Sequence, residues 1–347
     1  MRDRKFAGLA PLVVMICGLL FVAQQSFTEA FGQASTQPST QAGQASTQAA
    51  SQAGAGQEQL APATLDPAQK AQVDAALPKK AQAKPKKHRV ILINSLMIKD
   101  GKPFRSPSYD TIPVLDYMME QMGKQTGAYD VVISNDIEMF RPEKIKQFDA
   151  ICFCNSSGVL FDDPDLRASL LAYVNNGGGV IGIHDAIATF VQWPKYDQWP
   201  VFGQIIGGTE NGGHPWNMVP LAMKVEDPEN PINAVFKGKS DIQFTGQVFQ
   251  MQEPTFRDRL HVLMSIDVSK MGTVPIARVN QARKTDLDFP AAWIHRYGKG
   301  RVYYNEMGHD SAPFWNPMLL QHYLAGIQYA VGDLQVDDSP NQTVPKP

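Results

Sequence analysis

Apolar positions along the central part of the chain fall into short unbroken runs, separated by segments in which they recur at helical spacing. Arg89-Val-Ile-Leu-Ile-Asn94 is such a run, ending in polar residues, and Val131 to Ser134 and Phe148 to Asn155 repeat it. Continuous apolar runs of this length suit strands buried on both faces of a parallel sheet. Between the first two runs, from Tyr109 to Lys124, the residues Ile112, Leu115, Met118, Met119 and Met122 recur with the period of a helix. A second helix is predicted to start at Asp162 or Asp163 before Pro164. Leu166, Leu170, Leu171 and Val174 form its stripe, and Gly177-Gly178-Gly179 ends it. Val180-Ile-Gly-Ile-His184 supplies the next strand. This alternation predicts an α/β fold: a flavodoxin-like open, mostly parallel sheet with helices on both faces.

Past Gly207 the pattern changes. Strand-like runs at Ala222 to Val225, Ile242 to Met251, His261 to Ile266 and Val274 to Val279 follow without a helix between them, which predicts an additional antiparallel portion. Ala291 to His295 and Arg301 to Asn305, joined through Gly298-Lys299-Gly300, read as a hairpin returning to the sheet. Pro313 to Val331 reads as a closing helix.

The two ends have a different texture. Arg2, Arg4 and Lys5 precede an uncharged stretch from Phe6 to Ala23, and Gly32-Gln33-Ala34 offers a small-x-small cleavage site, so residues 1–34 read as a signal peptide or N-terminal anchor. The expected location is exported: periplasmic, cell-surface or secreted, with anchoring to the membrane if the segment is not cleaved. Residues 35–87 are rich in Ala, Gln, Ser, Thr, Pro and Lys and poor in large apolar side chains, which predicts a disordered linker. Its end, Pro78-Lys79-Lys80 through Lys84-Pro85-Lys86-Lys87, reads as a solvated basic run. Residues 335–347 read as a disordered tail, leaving 88–334 as the folded domain. The net charge of −2 gives no basic excess for nucleic acid. Cys152 and Cys154 lie two apart in a predicted strand and share one face, where they read as packing residues.

In open α/β sheets ligands bind beyond the carboxyl ends of the strands, which directs attention to Asn94-Ser95, Asn155-Ser156-Ser157 and His184-Asp185. Gly177-Gly-Gly-Val-Ile-Gly-Ile-His-Asp-Ala186 is a glycine-rich strand and turn. Two further motifs follow in order, Gly208-Thr-Glu-Asn-Gly-Gly-His-Pro-Trp-Asn217 and Tyr303-Tyr-Asn-Glu-Met-Gly-His-Asp-Ser-Ala-Pro-Phe-Trp-Asn-Pro317, with Asp227-Pro228 to Pro231-Ile232 and Trp293 to Arg301 between them. Together they resemble the ThuA-like (trehalose utilisation) family over nearly the whole domain. That family is related to the class I glutamine amidotransferase-like proteins, in which a cysteine nucleophile occupies the tight turn after this strand. His184 stands there in this chain, so glutaminase activity is not expected. The sequence also departs from the family where an acidic Asp-Glu pair before an aromatic is expected: it has Thr245-Gly246-Gln247-Val248-Phe249, leaving Glu306 as the carboxylate that could substitute.

The resemblance implies carbohydrate metabolism on a keto-sugar or oxidised glycoside, by isomerisation or elimination. Such chemistry needs a base near neutral pKa and a donor for the developing enolate, which histidine supplies without tuning. His184, His214 and His309 are the expected catalytic residues. Asn94, Asn155, Asp185, Trp216, Asn217, Gln247, Glu306 and Trp315 are the expected sugar contacts, the two tryptophans either stacking on a ring or packing in the core. His88, His261, His295 and His322 read as structural. Two rival readings remain: a carbohydrate-binding module that kept the cleft without the chemistry, as Gln247 hints, and a hydrolase in which the three histidines hold a divalent metal such as zinc. The expected partner is a small sugar; the sequence fixes no oligomeric state.

Overall fold

In the computed structural model, residues 64–193, 196–210, 213–239, 241–251 and 257–341 are described. Nine strands build one mixed sheet: β1 Val90–Asn94, β2 Asp130–Ile133, β3 Ala150–Cys154, β4 Gly179–Ile183, β5 Val219–Val225, β6 Ile242–Gly246, β7 His261–Ile266, β8 Pro290–Tyr297 and β9 Gly300–Asn305. Their spatial order is β6-β5-β7-β8-β9-β4-β3-β1-β2. The half from β2 to β9 is parallel, and β8, β7, β5 and β6 continue it with antiparallel pairing. The flavodoxin-like half and its antiparallel extension therefore stand as the hydrophobic pattern predicts.

The parallel strands are buried on both faces because their side chains alternate between two apolar clusters. Ile91, Ile93, Cys152, Cys154, Ile181 and Ile183 point to one cluster, and Leu92, Ile151, Phe153 and Val180 to the other. The two thiols share a face and are unbridged packing residues. The first cluster is covered by helix α1 Pro67–Ala76, by α2 Ile112–Thr126 through Leu115, Met118, Met119 and Met122, and by the closing helix α7 Pro317–Ala330. The second is covered by α4 Pro164–Asn175 and α5 Pro200–Ile206; the short helices α3 Pro142–Ile145 and α6 Gln281–Asp286 complete the set. The helix ends follow local chemistry. Asp163 caps α4 by accepting from Asp165 N, Asn316 caps α7 by accepting from Met318 N and Leu319 N, and Gly127 closes α2 at φ +62.

Four expectations need correction. Val274 to Val279 is no strand but carries a short 3₁₀ turn at Ile276–Arg278, where Arg278 N donates to Pro275 O; Pro275 has no N–H to give a ladder. The run expected to continue to Met251 leaves the sheet after Gly246, and its remainder crosses the carboxyl edge. The linker expected to reach Lys87 is ordered from residue 64. Asp66 and Gln69 form a capping box for α1, Val73, Ala76 and Leu77 enter the core, and the buried Gln328 of α7 accepts from Gln82 N and Ala83 N while donating to Ala83 O. The expected tail is also packed as far as Asn341, whose backbone N donates to Leu260 O, while Ser339 O is held by His261 Nδ1 at 2.7 Å. The signal or anchor segment, the linker before residue 64 and residues 342–347 lie outside the described residues. Among the described residues no helix is long and apolar enough to cross a membrane.

The strap formed by residues 64–87 should contribute measurably to stability. Leu77→Ala removes a buried side chain and should cost about 2 kcal/mol or more, read as a lower midpoint in denaturant titration; an unchanged midpoint would return this segment to the linker.

Candidate functional site

The site lies at the carboxyl edge of the parallel strands and begins with the turn after β4. Ile183 ends the strand, and His184–Ala188 turn away as a 3₁₀ helix, with His184 at φ +44. A non-glycine residue in this region carries strain that its surroundings must hold. Tyr304 donates its hydroxyl to His184 O at 2.8 Å, and His184 Nδ1 lies 2.9 Å from Glu306 O, a distance at which the ring N–H donates to that carbonyl. Gly308 permits the close approach, since a side chain there would run into Ile183 and the His184 Cβ.

His184 is fully buried beneath the cleft. Its ring lies against Phe249, with centroids 4.7 Å apart, and meets His309 edge-on at 5.2 Å; His214 packs on the same Phe249 ring at 4.5 Å. Two carboxylates flank it. Asp185 Oδ1 is 3.3 Å from Nε2 and Glu306 Oε1 3.5 Å from Nδ1. Burial alone would lower the His184 pKa, but the charges of Asp185 and Glu306 outweigh it and hold the imidazolium above its ordinary 6.5. His214 goes the other way: burial, then repulsion from His184 and His309, lowers it to about 4. His309 is also lowered, first by burial and then by the charge of His184, with Asp185 and Asp310 opposing. Three buried ring nitrogens here have no hydrogen-bond partner: His184 Nε2, His214 Nδ1 and His309 Nδ1.

Above this floor is a cleft of roughly 340 Å³. Of the expected site residues, Asp185, His214, Gln247 and His309 line it. Asp185 accepts from Ser108 Oγ and, at 3.3 Å, from Ser106 Oγ, while Gln247 Nε2 donates to the exposed Asn217 at 2.9 Å. Asn155 and Glu306 work from behind. Asn155 donates to Thr111 Oγ1 and Gly308 O; Glu306 accepts from Phe249 N at 2.8 Å and lies 2.6 Å from the Tyr304 hydroxyl. Glu306 thus pins the segment after β6 over His184 and does not replace the carboxylate expected near residue 247.

Three expected contacts fall elsewhere. Asn94 donates to Ser134 O and takes Leu96 N, which makes it a turn support after β1. Trp216 packs edge-on against Phe289 in the core, and Trp315 packs against the same core at the start of α7. His261, His295 and His322 are buried on hydrogen bonds away from the cleft, and His88 is exposed beside Asp130.

Single-residue reasoning missed Lys99, Phe104, Ser106, Ser108, Trp193, Glu210 and Phe249, all of which line the cleft. Glu210 is the important omission. It is almost fully buried, accepts from Trp193 Nε1 at 3.0 Å, and brings to the cleft the carboxylate that position 247 lacks. The signal was in the motif Gly208-Thr-Glu-Asn-Gly-Gly-His, where the histidine drew attention from the acid beside it. Among the described residues no group of three or more His, Cys, Asp or Glu side chains is placed to hold a metal ion.

A mostly parallel sheet with a strained histidine turn at its carboxyl edge, roofed by loops from an antiparallel extension, defines an α/β protein of flavodoxin-like architecture. The family model for ThuA, trehalose utilisation, matches residues 106–330, and the chain belongs to that family. Among solved structures it is similar to a ThuA-like protein from Bacteroides uniformis, with 19% identity, a TM-score of 0.54, and coverage of 72% of this chain and 93% of that one. It is also similar to one from Parabacteroides merdae, with 17% identity, a TM-score of 0.48, and coverage of 75% and 96%. No curated protein matches this chain.

The proton affinity of His184 should depend on Glu306. Glu306→Gln removes one of the two charges that raise it, so NMR titration of the His184 ring should show a lower pKa than in the parent; an unchanged value would mean that Glu306 does not hold the proton there.

Proposed function

We propose that the cleft acts on a keto-sugar or oxidised glycoside by histidine acid/base chemistry. The observation that carries this reading is the division of proton affinity within one site. Two carboxylates raise the proton affinity of His184 above its ordinary value, while burial and the neighbouring His184 lower those of His214 and His309, each of which has an unpartnered ring nitrogen. Environments that push neighbouring titratable groups apart separate acid from base.

The neutral imidazole of His309 or His214 takes the proton from the carbon beside the ketone, and the C–H electron pair moves onto the carbonyl oxygen as an enolate. In isomerisation the enolate oxygen takes up a proton, the hydroxyl on the deprotonated carbon gives one up, and the carbon proton returns to the former carbonyl carbon, so that ketone and alcohol exchange places. In elimination the enolate electron pair returns to expel the oxygen substituent one carbon further on, which leaves as an alcohol with the proton from the imidazolium. The buried charge of His184 favours the enolate electrostatically. Glu210, Asp185 and Gln247 supply hydrogen-bonding groups for sugar hydroxyls, and Phe104, Trp193 and Phe249 supply apolar faces. A cleft of this volume lies at the small end of the range for ligand sites, which suits one or two sugar rings. The basic start and apolar stretch of residues 1–34 support reading the protein as exported.

A carbohydrate-binding module is the second reading, favoured by Gln247, an amide that cannot move a proton at the position where a carboxylate is expected. Turnover of a keto-disaccharide, set against binding of it and of its unoxidised parent, separates the two. The rate should be bell-shaped in pH. Its acid limb should fall below 6.5, where His309 or His214 takes up a proton, and its alkaline limb above 6.5, where His184 gives one up. His309→Asn should lower turnover by roughly 10²- to 10⁴-fold with much less effect on affinity. His184→Asn should lower turnover and flatten the alkaline limb with no change in bound metal. Binding without turnover would replace the enzyme by the module, and loss of stoichiometric zinc in His184→Asn would replace the acid/base mechanism by a metal-dependent one.

A further inference from the structure

At the amino edge of the sheet, opposite the histidine cleft, is a groove of roughly 970 Å³ walled by α3, α4, the residues entering β1 and β3, and the start of β9. Five cationic side chains line it: Lys87, Arg89, Arg141, Lys146 and Arg301. Its two lining carboxylates are Asp149 and Asp165. Three of the cations are already occupied. Lys87 and Arg89 share Asp149 at 2.8 Å, Arg89 also grips the fully buried Asp333, and Arg141 holds Asp163 at 2.7 Å and Glu138 at 3.2 Å.

Two are not. Among the described residues the side chains of Lys146 and Arg301 enter no hydrogen bond or ion pair, and Arg301 Nε is buried without a partner. Ser169, buried on the α4 wall, likewise has an Oγ with no partner. The charges around Arg301 oppose one another: Arg296 and Arg89 repel it, while Asp338 and Tyr329 favour it without a direct contact, Asp338 being held by Arg296 and by the Tyr329 hydroxyl. Burial, then the charge of Arg296, lowers its proton affinity, so a nearby anion would relieve the guanidinium.

A structural use for these cations would be to cap the helix carboxyl ends that face this edge. Those ends are already satisfied. The carbonyls of Ala172, Tyr173, Val174 and Asn175 at the end of α4 accept from Asn176, Gly178, Gly177 and Lys299, and Gly332 O after α7 accepts from Lys86 Nζ at 2.7 Å. The Arg301 guanidinium instead lies against Gly332, at φ +86, where a Cβ would stand 3.0 Å from its Nη1.

We propose that this groove binds a phosphate-bearing oligoanion, with the half-buried Arg301 as the fork, Lys146 as the exposed charge and Ser169 as a hydroxyl donor. An arginine fork paired with a hydroxyl and a second cation is the recognition chemistry of phosphate. Free oligophosphate and a lipid phosphate headgroup present the same group, and the experiment distinguishes them.

The full chain is titrated with inorganic tripolyphosphate by calorimetry, and sedimented with phosphatidylglycerol or phosphatidylcholine vesicles. Saturable one-to-one binding of tripolyphosphate is expected. Arg301→Gln should weaken it about tenfold or more, on the scale of a lost charge-assisted pair, and Lys146→Gln should weaken it severalfold. Lys284→Gln, an exposed cation outside the groove, should leave it unchanged, as should turnover in the histidine cleft. Sedimentation with phosphatidylglycerol alone, lost in Arg301→Gln, assigns the lipid headgroup; no sedimentation beside intact tripolyphosphate binding assigns the soluble anion. Absence of saturable binding, or equal weakening by Lys284→Gln, would overturn the proposal. If Arg301→Gln does not fold, the exposed Lys146→Gln decides, and unchanged affinity in that variant would overturn it.

Discussion

A buried imidazolium in a left-handed backbone conformation makes two demands at once, and most of the carboxyl edge is organised to meet them. The conformation costs on the order of 1–3 kcal/mol for a residue with a side chain, and a buried charge is tolerated only when paired and hydrogen-bonded. His184 gets its backbone support from the Tyr304 hydroxyl and its charge balance from Asp185 and Glu306. Those carboxylates then need partners of their own. Glu306 draws in Phe249 N, which brings the segment after β6 across the site, and Asp185 draws in Ser106 and Ser108, which fixes the loop after β1. One buried charge thereby orders loops that are more than a hundred residues apart in sequence.

The same charge acts upward as well as outward. His214 and His309 sit close enough to His184 to be repelled by it, and its charge adds to burial in keeping them neutral. A site with three histidines in equivalent surroundings would titrate near one pH and offer no stable base beside a stable cation. Here the asymmetry comes from two carboxylates placed on one ring and absent from the unpartnered nitrogens of the others.

The sheet was legible because its signals are local. Period-two alternation separates Ile91 and Ile93 from Leu92, and assigns Cys152 and Cys154 to one face, without any knowledge of the partners. The turn at His184 was legible from the glycine-rich strand before it. What stayed hidden depends on contacts that sequence spacing does not carry. Ser106 and Ser108 matter only because Asp185 lies over them, and Glu210 only because its loop folds back under Trp193. Asn94 sits after an apolar run, as a ligand contact would, yet its amide is used up by Ser134 and Leu96. The strap of residues 64–87 was hidden for a related reason. Its composition is polar, and its docking rests on three buried apolar side chains with Leu65 and Ala81 beside them, and on backbone groups held by Gln328 and Asp333 far along the chain.

Strand β9 joins the two edges of the sheet, with Arg301 near its start and Glu306 just past its end. Five residues of extended chain span about 17 Å at roughly 3.3–3.4 Å per residue. Salt screens poorly through the protein interior, and at an effective dielectric constant of about 20 two unit charges at that separation interact by about 1 kcal/mol, so a charge arriving beside Arg301 alters the potential at His184 only modestly. Mechanical coupling is equally restricted. β9 is hydrogen-bonded on both sides, to β8 and to β4, and a strand held in two ladders has no second register within reach, because a slip of one residue would exchange its two buried faces. The fold therefore places the proposed anion groove and the histidine cleft on one strand with a weak electrostatic link between them and no register shift in β9 to strengthen it.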